Sequence, residues 1–263
     1  MTDEAKALVE QSVIVGDCIE VMAAMDAKSV DVVVTSPPYN LGINYRSYSD
    51  SKPEREYMAW MAQVAAEIYR VLKDDGALFL NVGSTNKDPW IATRVGLLFA
   101  DYFTLQNNIA WVKSISVGDE TKGHFKPINS PRYLNNNYEH VFHFTKTGAE
   151  PVDRLAIGVP YADKSNLGRW GHATSDRRCA GNVWFVPYET VSSKAQKFHH
   201  PAAFPVALAE RCIRLHGKDE GLVLDPFAGI GSTLMAAQRV GINAVGIELD
   251  EVYANSAKKR LTQ

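Results

Sequence analysis

Leu222 to Leu224 is a short apolar run that leads straight into Asp225-Pro226-Phe227-Ala228-Gly229-Ile230-Gly231-Ser232-Thr233, and this order constrains the chain more than any other stretch. A helix over Ser232 to Arg239 follows, Gly241 closes it, and Ala244 to Ile247 forms a second buried strand that ends at Glu248. Strands joined through a helix lie parallel, and a parallel sheet needs helices on both faces. The same alternation recurs along the chain. Val13 to Val15 and Val30 to Val34 are strands separated by helical turns from Ile19 to Met25. Tyr57, Trp60, Val64, Ile68 and Leu72 recur at helical spacing, which predicts a helix ended by Asp74-Asp75-Gly76, with its aromatic residues in the core, before a strand over Ala77 to Asn81. Further strands are expected over Leu105 to Val112 and His140 to Phe144, and the last helix over Glu251 to Leu261, after one at Phe204 to Leu215. The fold class is therefore α/β, a mixed and mostly parallel sheet with helices on both faces.

Between residues 145 and 197 this regularity dissolves. Gly158, Pro160, Gly168, Gly171, Gly181 and Pro187 accompany Trp170 and Trp184, which predicts an irregular insertion with a small aromatic core of its own. The division expected is 1–144 and 198–263 as two halves of one domain, with 145–197 inserted. The formal net charge is −2, yet from Arg154 to Arg214 there are nine basic residues against Asp163, Asp176, Glu189 and Glu210. A basic stretch inside an acidic chain suits a polyanion, although dispersed solvated charges give the same count. Cys18, Cys179 and Cys212 lack the paired spacing of zinc or disulfide frameworks, so no metal is expected and the thiols are read as reduced, in the cytoplasm. No apolar run approaches membrane-spanning length, and no membrane partner is expected.

The turn from Asp225 to Thr233 lies where open α/β sheets bind nucleotides, at the carboxyl end of a strand. Gly229 and Gly231 let the backbone approach a ligand closely, and Glu248 is placed to accept the hydroxyls of a ribose. A dinucleotide fingerprint needs glycine where Leu234 stands, and a phosphate-binding loop needs Gly-Lys-Ser/Thr, which is absent. Strand, turn, helix, strand and acid in this order point to an adenosine-containing cofactor, the alternative being a glycine-rich turn that only packs strand on helix. Gly16-Asp17, at another strand end, offers a further acid for the adenine amine, or a simple turn.

A second constellation, Ser36-Pro37-Pro38-Tyr39, follows the strand Val30 to Val34. Two consecutive prolines forbid helix and continued strand, so the turn is stiff. The Ser36 hydroxyl and the Pro37 carbonyl are acceptors suited to the N–H groups of an aromatic amine, whose lone pair is otherwise delocalised into its ring. Tyr39 can stack on an extruded base. Neither a metal nor a covalent intermediate is required.

With these motifs in this order the chain resembles the permuted amino-methyltransferases of DNA, in which the catalytic Pro-Pro-Tyr turn precedes the target-recognition region and the cofactor turn comes last. The resemblance covers nearly the whole chain and implies the Rossmann-like fold of S-adenosylmethionine-dependent methyltransferases. It implies Asp17 as the strand-end acid, Ser36, Pro37, Pro38 and Tyr39 as the catalytic turn, and Asn137-Tyr138-Glu139-His140 with Val141 to Phe144 as a later sheet motif. His200, Pro201 and Ala202 look like the start of the segment beside the methionine of the cofactor. Asp225, Pro226, Phe227, Gly229, Gly231, Ser232 and Thr233 are similar to the cofactor turn, and Glu248 to its ribose acid. In that family serine before Pro-Pro usually accompanies cytosine N4 methylation, and aspartate or asparagine adenine N6 methylation, so Ser36 implies cytosine with adenine as the alternative. DNA is the partner implied, read through 145–197 with Arg169, His172, Arg177, Arg178 and Asn182 as candidates at bases or phosphates. A cognate restriction endonuclease and a homodimer are further partners this resemblance admits. The rivals are a methyltransferase acting on a protein glutamine amide, one acting on structured RNA, and a non-catalytic DNA-binding or specificity subunit. The loop from Asn40 to Pro53 is either a lid over the flipped base or a surface connection.

Overall fold

The computed structural model describes residues 10–43, 47–117, 119–123, 129–167, 175–187 and 203–262. In chain order the elements are β1 (Gln11–Val15), α1 (Cys18–Ala23), β2 (Val30–Thr35), α2 (Glu54–Val71), β3 (Leu72–Val82), α3 (Ile91–Ala100), β4 (Thr104–Val112), β5 (Ile115–Val117), β6 (Glu120–Lys122) and β7 (Tyr138–Thr145). They continue with β8 (Val183–Phe185), α4 (Val206–His216), β9 (Leu222–Asp225), α5 (Ser232–Val240), β10 (Asn243–Glu248) and α6 (Glu251–Leu261). Eight strands form one sheet in the order β1-β10-β9-β2-β3-β7-β4-β8. The first five run parallel, β7 is antiparallel to β3 and to β4, and β8 is parallel to β4. The mixed, mostly parallel sheet expected from sequence is the one observed.

Alternation along the strands sorts the core into two layers. Val32, Val34, Ala77 and Phe79 face α4, α5 and α6, whereas Val33, Leu78 and Leu80 face α1, α2 and α3. Because both faces are covered, β2 is buried at all six positions and shows no polar alternation. On α2, Tyr57, Met61, Val64, Ala65 and Ile68 lie on the buried stripe, and each large side chain stabilises by about 1.5–3 kcal/mol. α5 is bracketed by Gly231 and Gly241 with φ of 80° and 88°, and α4 ends at Gly217 with φ of 76°. These are left-handed positions that favour glycine, which is why the helix boundaries are legible in the sequence.

Two expectations are corrected. The helix over Tyr57 stops at Val71, because Leu72 turns extended and pairs with Val30 across a register shift. Gly76 therefore lies inside β3, where a Cβ would come within 2.9 Å of the Asp31 carbonyl and 2.8 Å of Leu72. Trp184 is not part of a separate insertion core: β8 carries it into the main core at 1% exposure, and its Nε1 donates to the Gly181 carbonyl at 3.0 Å. Trp60 packs against the core as expected but is only half-buried, and its other side lines a cleft.

His143 stacks on Phe79 with ring centroids 4.5 Å apart, and its Nδ1 meets the Asn107 amide at 2.9 Å. Its Nε2 and that of His216 are buried with no partner among the described residues. Burial pushes both imidazoles down to about 4. Their folded values lie below the unfolded value, so the stability they retain as neutral rings is present above about 6.5 and lost as pH falls toward 4. Asp225, pushed up to about 6, and Glu248, pushed above the usual range, act in the opposite sense, while His140, pushed down by burial, acts with the other two histidines. Urea unfolding should therefore show lower stability at pH 5 than at pH 7. His143→Gln should reduce that difference by about 2 kcal/mol, and an unchanged difference would remove His143 from the account.

Candidate active site

The carboxyl ends of β1, β10, β9, β2 and β3 open along one edge of the sheet. A cleft of about 370 Å³ lies there, lined by Asp17 after β1, Glu248 at the end of β10, Phe227 and Gly229 after β9, and Ser36 after β2. A second pocket of about 200 Å³ lies beside it, lined by Ser36, Pro37, Tyr39, Asn81, Lys113 and Glu139. Ser36 borders both, so the proline turn and the glycine turn, distant in sequence, share one crevice.

In the larger cleft Glu248 is fixed from two sides. Its Oε2 accepts the Gly229 N–H at 2.7 Å and its Oε1 the Asp250 N–H at 2.9 Å. Burial pushes its carboxyl above the usual range, with the two backbone donors opposing that shift. Gly229 holds φ of 52°, which aims its N–H at the carboxylate. Phe227 meets Trp60 edge-on at 5.6 Å, and Trp60 meets Tyr48 at 5.5 Å, so one wall is aromatic. The Lys52 ammonium stands 5.0 Å from the Tyr48 ring. Asp17 caps α1, with Oδ1 accepting from Ile19 and Glu20.

Asp225, Gly231 and Thr233, expected at the cofactor, do not line the cleft. Asp225 is 1% exposed and accepts from Thr35 Oγ1 at 2.7 Å, Thr233 Oγ1 at 2.7 Å and the Phe227 N–H at 3.0 Å. It ties the end of β2 to the start of α5 from beneath the turn, and burial pushes its carboxyl up to about 6. Gly231 caps α5 against α6, where a Cβ would stand 3.0 Å from that of Ala257. Pro226 and Ser232 do line the cleft, as does Pro38.

The second pocket is walled by a polar cluster. Tyr39 OH lies 2.7 Å from Ser36 Oγ and donates to Glu139 Oε2 at 3.1 Å. Asn81 Nδ2 donates to Tyr39 OH and to Glu139 Oε2 at 2.8 Å each, and Lys113 Nζ to Glu139 Oε1 at 2.6 Å. Tyr57, below the turn, donates to the Pro38 carbonyl at 2.8 Å.

Among the basic candidates, Arg177 is committed: its Nη1 donates to the Leu155 and Ala156 carbonyls at 3.3 and 3.2 Å. Asn182 is also occupied, through the Asn108 carbonyl at 2.8 Å. Arg178 is exposed, with its backbone paired to Val159. His200, Pro201, Ala202, Arg169 and His172 lie outside the described residues. Sequence reading passed over Tyr48, Lys52, Cys18 and Asp250 in the cleft, and Asn81 and Lys113 in the pocket. Asn81 alone carried a usable signal, being a polar residue at the carboxyl end of a buried strand on the same edge. No helix among the described residues is long and apolar enough to cross a membrane.

A family model described as DNA methylase matches residues 30–259. Similar proteins include the Type II methyltransferase M.HpaI of Haemophilus parainfluenzae, 27% identical over 96% of this chain and 74% of its own length. The DNA adenine methyltransferase YhdJ of Escherichia coli K12 is 28% identical over 95% of this chain and 82% of its own. Among solved structures, a DNA modification methylase of Thermus thermophilus complexed with S-adenosyl-L-methionine gives a TM-score of 0.62 at 27% identity, covering 96% of this chain and 93% of that one. The cytosine-N4-specific PvuII DNA methyltransferase shares the fold, with a TM-score of 0.70 at 20% identity over 95% of this chain and 86% of that one.

Asp225→Ala should remove the acceptor of the buried Thr35 and Thr233 hydroxyls and of the Phe227 N–H, and lower unfolding free energy by about 2–4 kcal/mol, whereas Asp225→Asn should cost less. Urea denaturation of the two variants tests this, and equal stability of Asp225→Ala and wild type would overturn the assigned role.

Proposed function

The chain belongs to the DNA methylase family, and from that premise we propose that it transfers a methyl group from S-adenosylmethionine to the exocyclic N4 of a cytosine flipped out of duplex DNA. The observation that carries the reading is that Ser36 forms a common wall of the two pockets, one with the acid and glycine of a nucleoside site, the other with acceptors suited to an amine.

The larger cleft fits the cofactor. Glu248, held by Gly229 and Asp250, presents a carboxylate for ribose hydroxyls, and Phe227 and Trp60 offer aromatic surface to a purine. Asp17, Pro226, Ser232 and, from the resemblance, His200, Pro201 and Ala202 complete our assignment, while Asp225, Gly231 and Thr233 support the turn from behind. When bound, S-adenosylmethionine supplies a methyl group activated by a sulfonium. The protein positions the amine: Tyr39 stacks on the base, and Ser36 and the Pro37 carbonyl accept from the N–H groups, favouring a nitrogen whose lone pair is free of the ring. Positioning of this kind needs no nucleophilic side chain.

Serine at position 36 supports cytosine; the similar proteins act by name on either base, and adenine N6 is the second reading. We assign sequence recognition to 145–197, with Arg178 as an available contact, and methyl transfer to the sheet built by 1–144 and 198–263. Relatives named as Type II enzymes favour a cognate restriction endonuclease as a further partner.

Duplex DNA incubated with the protein and S-adenosylmethionine, then digested to nucleosides, should yield N4-methylcytosine by mass spectrometry. N6-methyladenine without it would overturn the base. Ser36→Ala should slow transfer by about 10–100-fold with cofactor affinity unchanged, and Glu248→Ala should weaken cofactor binding by calorimetry. A Ser36→Ala variant with wild-type turnover would remove the hydroxyl from the reaction.

A further inference from the structure

We propose that Glu139, paired with Lys113, is a positioning residue that fixes the direction of the hydrogen bonds reaching Ser36, so that the Ser36 hydroxyl faces the target amine as an acceptor. The inference rests on the methyl transfer proposed above and adds residues that transfer did not require.

The direction follows from counting hydrogens. A carboxylate only accepts, and Glu139 receives the Lys113 ammonium on Oε1 and the Asn81 amide on Oε2. Asn81 is 4% exposed, and its amide is held with Nδ2 toward Glu139, since a flip would set Oδ1 against the carboxylate. The two hydrogens of Nδ2 serve the contacts at 2.8 Å, to Glu139 and to Tyr39 OH, and leave the 3.3 Å approach to Ser36 Oγ as the weak one. Tyr39 has a single proton, which it gives to Glu139 Oε2. Either oxygen can donate across the 2.7 Å between Ser36 and Tyr39; with the Tyr39 proton on Glu139, the proposed direction, Ser36 is the donor. Its proton points to Tyr39, and an Oγ lone pair is left for the pocket it lines. A base amine presents only N–H groups there, so donor meets acceptor.

An amide in place of Glu139 reverses the chain. With its Nε2 toward Tyr39 it donates to the phenol oxygen, Tyr39 donates to Ser36, and the Ser36 proton is turned into the pocket, where it meets the N–H groups of the amine. Asn81 and Glu139 are buried, at 4% and 8% exposure, so such a reversal is costly to correct by rotation of one group alone. Lys113 acts at one remove, by pairing with Oε1 and leaving Oε2 for Tyr39 and Asn81.

Steady-state methylation of duplex DNA by wild type, Glu139→Gln, Glu139→Asp, Tyr39→Phe and the Tyr39→Phe/Glu139→Gln double variant tests this, with cofactor affinity and melting temperature measured in parallel. Glu139→Gln should lower kcat by about 10–100-fold, with KM for DNA and cofactor affinity within about 2-fold, and Glu139→Asp should recover part of the loss. Because Glu139 acts through the Tyr39 hydroxyl, adding Glu139→Gln to Tyr39→Phe should cost no more than about 3-fold further. A kcat for Glu139→Gln within about 2-fold of wild type, or a double variant that loses the full product of the single effects, overturns the proposal while leaving methyl transfer intact. If Glu139→Gln proves unfolded, the folded Glu139→Asp and Tyr39→Phe variants decide: losses of kcat without change in cofactor affinity support the chain, and wild-type kcat in both overturns it. A wild-type protein that methylates neither base overturns the functional reading and this proposal together.

Discussion

The bond between Asp225 and Thr35 is the constraint from which the rest of the site follows. Thr35 is the last residue of β2, and the catalytic turn begins at the next position; Asp225 is the last residue of β9, and the glycine turn begins at the next position. One carboxylate therefore holds two turns, 190 residues apart, in fixed register, and through Thr233 it also anchors the first turn of α5. Placing an acid at 1% exposure carries a desolvation penalty, visible in a carboxyl pushed up to about 6. Three donors offset it, and the arrangement is far stricter than apolar packing could supply.

From that register the two pockets acquire their separate chemistries. Glycine at 229 brings a backbone N–H onto Glu248, so the cleft wall nearest β10 is a fixed acid with aromatic surface opposite. Proline at 37 and 38 prevents the other turn from continuing β2, and Tyr57 beneath it clamps the Pro38 carbonyl. β7 then contributes from the opposite direction. Being antiparallel, it brings its first residues, Tyr138 and Glu139, to the same edge where its neighbour β3 ends at Asn81 and Val82. An antiparallel strand inserted in a parallel sheet is thus what allows an acid from β7 to meet Asn81 and Tyr39.

Strand and helix positions were largely legible because both sources of pattern are local: valine runs at β2, and glycines at the ends of α4 and α5. Where the reading failed, the deciding contact was remote. α3 escaped notice because its interior holds Gly96, a poor helix former, and the reason for that glycine is the Phe142 ring of β7, which a Cβ would approach within 2.8 Å. Asp225 belongs to the turn that the resemblance places at the cofactor, yet its partners Thr35 and Thr233 hold it beneath that turn, away from the cleft. Trp60 carries the spacing of a core residue and packs against the core, and only the packing of Phe227 and Tyr48 around it shows that it also lines a cleft. Lys113, just past the end of β4, and Glu139, on β7, are 26 residues apart, and no spacing rule connects them.

The described residues of the segment after Tyr39 are joined to these parts through one buried carboxylate. Asp50, 3% exposed, accepts the N–H groups of Asn40 at 2.8 Å, Leu41 at 3.1 Å and Ile43 at 3.0 Å, and the Asn40 side chain bonds the Lys52 backbone in both directions. Ser47 then reaches Asp250, the cap of α6, at 2.6 Å. Leu41 and Ile43 border the smaller pocket, whereas Tyr48 and Lys52 border the larger. A single buried carboxylate thus gathers a stretch that walls both chambers and is fastened at one end to the catalytic turn and at the other to the helix beyond Glu248. Displacing the described residues of this stretch would break several backbone hydrogen bonds at Asp50 together.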